Sequence, residues 1–324
     1  MVDEQDTSGS LSPRALWTIA GSVVAGVCLY LAGVVFTDFE EIRNSSADVS
    51  LVLWIVLLLT SLVNYVLRFW RWHIMLNYLE RTIPSLQHLL YYISGFALST
   101  TPGKVGEAIR SVYLRRYGVK VEESISALFV ERFMDLISVT FLALFGMGIL
   151  ADSRIAIIAS VVVLLALILG IVSPIPAWIE RTWIDGHPQN IIRRIIAKLL
   201  YLVRISHTLL ISRLFVSGNV IGLIAWFAEG LGFYLLCDAL GFEISLFVAV
   251  GIYGFSILIG ALSFLPGGLG TTEAVMGAML VGLGVSPAKA VLATVICSLV
   301  TLWFAVLLGL LSMLVITKQR AQKV

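Results

Sequence analysis

Marked as apolar or polar, the 324 positions fall into long apolar runs separated by short charged breaks. Six runs are long enough to cross a bilayer as helices: 15–36, 50–72, 124–150, 154–173, 214–237 and 287–316. About 20 apolar residues suffice, because a helix satisfies every backbone polar group within its own segment. Two further apolar stretches, 86–117 and 244–284, are each interrupted by Pro-Gly. Proline lacks a backbone donor and pushes its predecessor out of helical geometry, so each stretch predicts two half-helices about a turn. The stretch 174–213 is mixed. Its "NIIRRIIAKLLYLVRIS" gathers Ile, Leu and Val on one face, with Arg193, Arg194, Lys198 and Arg204 mostly on the other. That pattern predicts a helix lying in the cytoplasmic membrane interface.

Composition and charge placement extend this reading. Of the residues 59% are hydrophobic and 13% charged, and mean hydropathy is +0.98. A soluble chain could not cover so much apolar surface with polar groups. The opening "MVDEQDTSGSLSPR" is polar and acidic, so the first run predicts a retained span rather than a cleaved leader. The break "TDFEEIRNSSADVS" holds four acids and one Arg, and "DALGFEIS" holds two acids and no base, so both face outward. Three of the 22 Lys and Arg fall outside (Arg43, Arg154, Lys289), Arg132 lies within a span, and the rest collect on the cytoplasmic side. Both termini are then cytoplasmic, in a cell (inner) membrane. The two Pro-Gly stretches enter from opposite faces. The fold class predicted is an all-α polytopic membrane protein with six spans and two opposed re-entrant helical hairpins. Its halves, 15–173 and 214–316, form an inverted repeat, a recurrent transporter design.

The candidate chemistry sits in the two hairpins and two spans. "TPGKVGEAIRS" and "LPGGLGTTEA" each place a glutamate after Pro-Gly-x-x-Gly. Glycine permits the turn and close approach. A helix starting there would present unpaired N–H groups and a positive dipole end to an anion such as a phosphate. The first candidate group is Pro102, Gly103, Lys104, Gly106, Glu107 and Arg110, with Lys104, Glu107 and Ser111 on one helical face. The second is Pro266, Gly267, Gly268, Gly270, Thr271, Thr272 and Glu273, where Glu273 could equally cap its own helix. In the third span Glu131, Arg132 and Asp135 form a charge cluster. A charge near mid-bilayer costs about 2.5–3.5 kcal/mol on insertion scales, so the cluster needs partners or a function. Arg132 can pair with Asp135, and Glu131 is expected to reach Arg110 or Arg68. Glu229, in the fifth span, is a candidate for proton coupling or headgroup contact. Two helix-breaking motifs could also be packing kinks, and the charges a structural lock. Cys28, Cys237 and Cys297 sit in apolar runs without ligand spacing. The four histidines show no metal or nucleophile–base spacing either, so neither a catalytic residue nor a cofactor or metal is expected.

"TPGKVGEAIRSVYL", "ALFVERFMDL" and "FLPGGLGTTEA", in this order, resemble the transmembrane flippase-like region of lysylphosphatidylglycerol synthases, over nearly the whole chain. The resemblance implies movement of a phosphate-bearing lipid between leaflets. The substrate class would be an anionic or aminoacylated phospholipid or a polyprenyl-linked lipid. It implies no nucleic-acid partner. The chain stops seven residues after Thr317, so aminoacylation is not expected of it, and any synthase or glycosyltransferase would be a separate partner. Two alternatives stay open: an integral membrane glycosyl- or group-transferase on a lipid carrier, and a non-catalytic subunit of such an enzyme.

Overall fold

The computed structural model describes residues 39–46, 49–147, 191–211 and 213–321, with residues 21, 158, 161–163 and 165–166 besides. The expected spans 15–36 and 154–173 lie outside the described residues except at those isolated positions, as do Cys28 and the segment 174–190. The helices, in order, are α1 (Phe39–Ser46), α2 (Leu51–Tyr78), α3 (Ser85–Ser94), α4 (Arg110–Leu114), α5 (Val121–Met147) and α6 (Ile191–Ile211). There follow α7 (Arg213–Ala239), α8 (Leu246–Leu262), α9 (Thr271–Gly282), α10 (Pro287–Ser298) and α11 (Phe304–Ala321). Tight 3₁₀ segments cover Gly95–Leu98, Pro102–Ile109, Arg115–Tyr117 and Pro266–Gly268, and a π-helical turn, Leu299–Trp303, joins α10 to α11. No strand occurs among the described residues.

Among the described residues, three stretches are long and apolar enough to cross a membrane: α2, α7 and the continuous Pro287–Gln319. The helix α5 is 27 residues long but carries Glu131, Arg132 and Asp135 near its middle. The span expected at 50–72 runs on to Tyr78. The helix does not stop at Arg68 and Arg71. They are buried and paired within the protein, so the helix continues past them to Trp72, Met75 and Leu76, also buried.

The described residues divide into two compact units. One draws on Met1–Ala47, Pro84–Arg110 and Ile259–Val324, the other on Asp48–Ile83 and Ser111–Leu258. Each takes elements from both halves of the sequence.

In the second of these, α2 starts at Ser50, whose hydroxyl accepts the Leu53 N–H (3.2 Å), a standard N-cap. It packs along α7, where Asn64 Nδ2 donates to the Ala225 carbonyl (3.0 Å). Small residues let these helices approach without a hydrophobic driving force in lipid. Gly222, for instance, faces Arg71 and Ser138 directly. The amphipathic α6 runs along α5, its Leu202 carbonyl accepting from Ser126 (2.9 Å). Ile205 and Leu209 are buried there while Lys198 and Arg204 are exposed. At the foot of α5, ahead of its apolar run, Arg81 donates from Nε (3.0 Å) and Nη2 (2.7 Å) to the two Glu123 oxygens, and the Lys120 N–H adds a third bond (3.0 Å). Burial pushes the Glu123 carboxyl up, but the Arg81 and Lys120 bonds outweigh it and hold it below the ordinary 4.5.

In the other unit, α10 opens on Ser286, which accepts the Lys289 N–H (3.4 Å) and donates to Glu41 of α1 (2.6 Å), with Pro287 in the first turn. The sequence pattern reads the α1 stretch as a loop, but its first turn is held by a Glu40–Arg43 pair (2.8 Å). α11 lies along α3 and the Gly95–Leu98 turn. Ser312 donates to the Leu90 carbonyl (2.7 Å), and Gly309 touches the Ala97 backbone.

Candidate functional site

The two Pro-Gly motifs belong to one unit, and there the 3₁₀ segments Pro102–Ile109 and Pro266–Gly268 pack on each other. A Cβ on Gly267 would lie 3.5 Å from Thr100 Cα and 3.2 Å from Leu302 Cδ2. Only glycine fits this turn: Gly267, Gly268 and Gly270 have φ of 64°, 72° and 86°.

The first motif departs from expectation in its local structure. No α-helix starts after Gly103. The segment stays 3₁₀ through Ile109, and α4 spans only Arg110–Leu114. The reason lies in its anchoring. Thr101 Oγ1 accepts the Gly106 N–H (2.7 Å), and Gly106 presses on Leu98 and Thr101, where a Cβ would sit 2.5 Å from Leu98 Cβ. A three-residue repeat stacks Glu107 on Arg110 rather than on Ser111. Arg110 Nη2 donates to Glu107 Oε2 (2.6 Å), Arg110 Nε donates to the Glu107 carbonyl (3.2 Å), and Ser99 donates to Glu107 Oε1 (3.0 Å). Both charged side chains are at most 1% exposed. The guanidinium lies 4.4 Å from the Tyr92 ring centre and rests against Gly95. Ser111 instead donates to Ser124 (2.9 Å). The side chains of residues 102–105, Lys104 among them, lie outside the described part of the structure.

The second motif does start a helix, and its glutamate caps it. Glu273 Oε2 accepts the Gly270 N–H (2.8 Å), the glutamate half of a capping box. Its other oxygen accepts from Ser298 (2.7 Å), the residue before the π-helical turn. Thr271 donates to the Gly268 carbonyl (3.0 Å), and Thr272 fills the space left by Gly260 and Gly268. The positive end of α9 is thus met by its own carboxylate. π-turns recur at functional sites, and this one borders the Gly267 turn through Leu302.

The charge cluster of α5 sits in the other unit. Arg132 reaches Asp135 (3.3 Å) as its spacing predicts, and it also reaches the adjacent Glu131 (2.9 Å), which the spacing does not predict. Of the two partners expected for Glu131, Arg68 is the one that reaches it (3.6 Å), with Arg71 at 3.8 Å, while Arg110 pairs with Glu107. Arg71 Nη2 donates to Asp135 Oδ1, and Arg68 lies 3.3 Å from Oδ2. Trp226 Nε1 donates to Asp135 Oδ1 (3.1 Å), with Arg68 5.3 Å from its ring centre. Three guanidiniums thus meet two carboxylates. One turn along α7, Glu229 is buried and accepts from Tyr253 (2.6 Å).

Sequence reasoning missed Tyr92, Ser99 and Ser298 as partners, and Arg71 as a cluster member. Arg71 was within reach of it: Ser61, Asn64, Tyr65, Arg68 and Arg71 repeat at three and four residues along α2, a polar stripe in an apolar helix. Nothing in the spacing of Ser298 points to Glu273.

Residues 18–309 match the family described as the lysylphosphatidylglycerol synthase TM region. The chain belongs to this family. It is also similar to a UPF0104 membrane protein of Methanothermobacter thermautotrophicus, 26% identical over 312 residues that cover 89% of this chain and 92% of that one. A shorter match links it to a UPF0104 membrane protein of Pyrococcus horikoshii, 35% identical over 86 residues, 26% of each chain. As a member of the lysylphosphatidylglycerol synthase TM family with several helices suited to membrane spanning, it is a membrane protein.

Proposed function

We propose that the protein moves a phosphate-bearing lipid between leaflets, with the two Pro-Gly turns forming the passage for its headgroup. The carrying observation is the packing of the two turns in one unit beside a fully buried Glu107–Arg110 pair. Irregular backbone in a membrane protein is tolerated where it is covered by protein or lines a polar path. A buried ion pair seldom adds net stability over an apolar pair of equal volume, so its presence favours a role in binding. Arg110 would meet the phosphate and Glu107 a hydroxyl or cationic group. The Arg68, Arg71 and Arg132 cluster brings three guanidiniums together and would suit an anionic group in its own right. The two motifs form re-entrant hairpins in an inverted repeat, and both termini face the cytoplasm of the cell membrane.

The test uses purified protein in liposomes carrying phosphatidylglycerol with a fluorescent headgroup. An impermeant reductant added outside is expected to bleach both leaflets without any partner protein. Bleaching of the outer leaflet alone contradicts the proposal, and activity restored only by an added enzyme points to a partner subunit. Conversion of the lipid to a new compound in the same vesicles would favour a transferase.

A further inference from the structure

One unit carries a groove with a volume of about 260 Å³, its described lining made of apolar side chains from three helices. Phe141, Leu142 and Phe145 of α5, Leu223, Ile224 and Phe227 of α7, and Phe247 and Val250 of α8 line it. Close helix contacts border it. α5 and α8 touch backbone to backbone where Gly146 meets Phe247 and Gly251, and α7 meets α8 where Gly230 faces Val250. Between those contacts the described side chains of α5, α7 and α8 leave this space open. The aromatic wall is ordered: Phe141 and Phe145 stack at 6.5 Å, and Phe145 meets Phe247 edge-on at 5.2 Å.

We infer that this groove holds one acyl chain of an anionic phospholipid as a resident lipid. Two features select the occupant. Val216, Val220 and Ile224 form an exposed stripe at four-residue spacing that leads along α7 into the groove, and all are at least 52% exposed. The exposed Arg213 starts that stripe. From Arg213 to Leu223–Phe227 the helix rises about 15–21 Å. Half a hydrocarbon core is about 15 Å. A lipid whose phosphate meets Arg213 therefore has its chain end at the groove. Lipid tails are as apolar as the groove, so the hydrophobic effect supplies no preference there; dispersion contacts with eight ordered side chains do. The inference does not depend on the transport proposal and needs only that α7 lies in lipid.

The experiment reconstitutes the full chain in vesicles of phosphatidylglycerol and phosphatidylcholine. Either lipid carries, in separate samples, a photoactivatable diazirine near one chain end. Peptide mapping after irradiation is expected to find the phosphatidylglycerol label on Phe141, Ile224, Phe227 or Phe247 about threefold above Ile55 and Leu59 of α2, the ratio a handful of extra carbon contacts supports. Ile224→Trp, which fills the groove from a lipid-facing position, should remove the enrichment. Arg213→Ala should reduce it to the phosphatidylcholine level. Equal labelling of the groove and the α2 face in the unaltered protein means an annular lipid only and overturns the inference, whether or not the variants fold. Leaflet exchange is read separately: enrichment without exchange keeps the groove and removes the transport proposal, and exchange without enrichment does the reverse.

Discussion

Arg110 and Glu107 give the sharpest test of whether buried charge here serves stability or binding. Arg110→Met removes the 2.6 Å bond to Oε2 and leaves Glu107 with Ser99 as its remaining named side-chain donor, at 1% exposure. Breaking a buried pair from one side costs about 3–5 kcal/mol, because the surviving charge loses its compensation. Glu107→Gln leaves the guanidinium against Tyr92 and Gly95 without its carboxylate and should cost a similar amount. The double variant carries no charge at either position. Its cost should fall to about 0–2 kcal/mol, so the coupling between the two changes should exceed about 4 kcal/mol. The assay is denaturant unfolding of purified protein in detergent, followed by tryptophan fluorescence, for the wild type, both singles and the double. Additive losses in the double variant would refute the reasoning, since they would mean the two charges do not compensate each other.

Gly106→Ala should destabilise by about 1–3 kcal/mol, since its Cβ would meet Leu98 and Thr101 within 2.8 Å; thermal unfolding in detergent reads this directly. Gly267→Val places a β-branched residue at φ 64° beside Leu302, and should abolish leaflet exchange while membrane insertion, followed by fractionation, persists. Glu123 contributes a pH-dependent share of stability. Its carboxyl is held below 4.5 when folded, so this share is complete above about pH 4.5 and is lost as the pH falls through the folded value. Glu123→Gln should flatten the unfolding midpoint over that acid range. For orientation, Asn44→Cys should react with an impermeant thiol reagent added outside intact cells and Lys198→Cys should not; both positions are exposed.

Much of the architecture is legible in the sequence because apolar run length and helix period are local signals. The runs 124–150 and 214–237 appear as α5 and α7 within a few residues, and both Pro-Gly breaks are real turns. The errors have physical causes. Arg71 goes unread as a cluster member because a lone sequence shows its charge, not the α5 carboxylate it meets. The segment after Pro102 looks like a helix start, but Thr101 holds Gly106 and keeps it 3₁₀. Glu273 does cap its helix, as its place in the first turn allows: the Gly270 N–H lies 2.8 Å from its carboxylate. Partners brought together by tertiary packing alone, such as Ser298 for Glu273, leave no periodic trace.

The central claim is that a lipid headgroup passes the twin turns and needs the Glu107–Arg110 pair. Leaflet exchange of headgroup-labelled phosphatidylglycerol by the Glu107→Gln/Arg110→Met double variant tests it most directly, because that variant should keep most of its stability. The account predicts exchange no faster than in protein-free liposomes from a folded protein. Exchange at the wild-type rate from the same folded variant would contradict it.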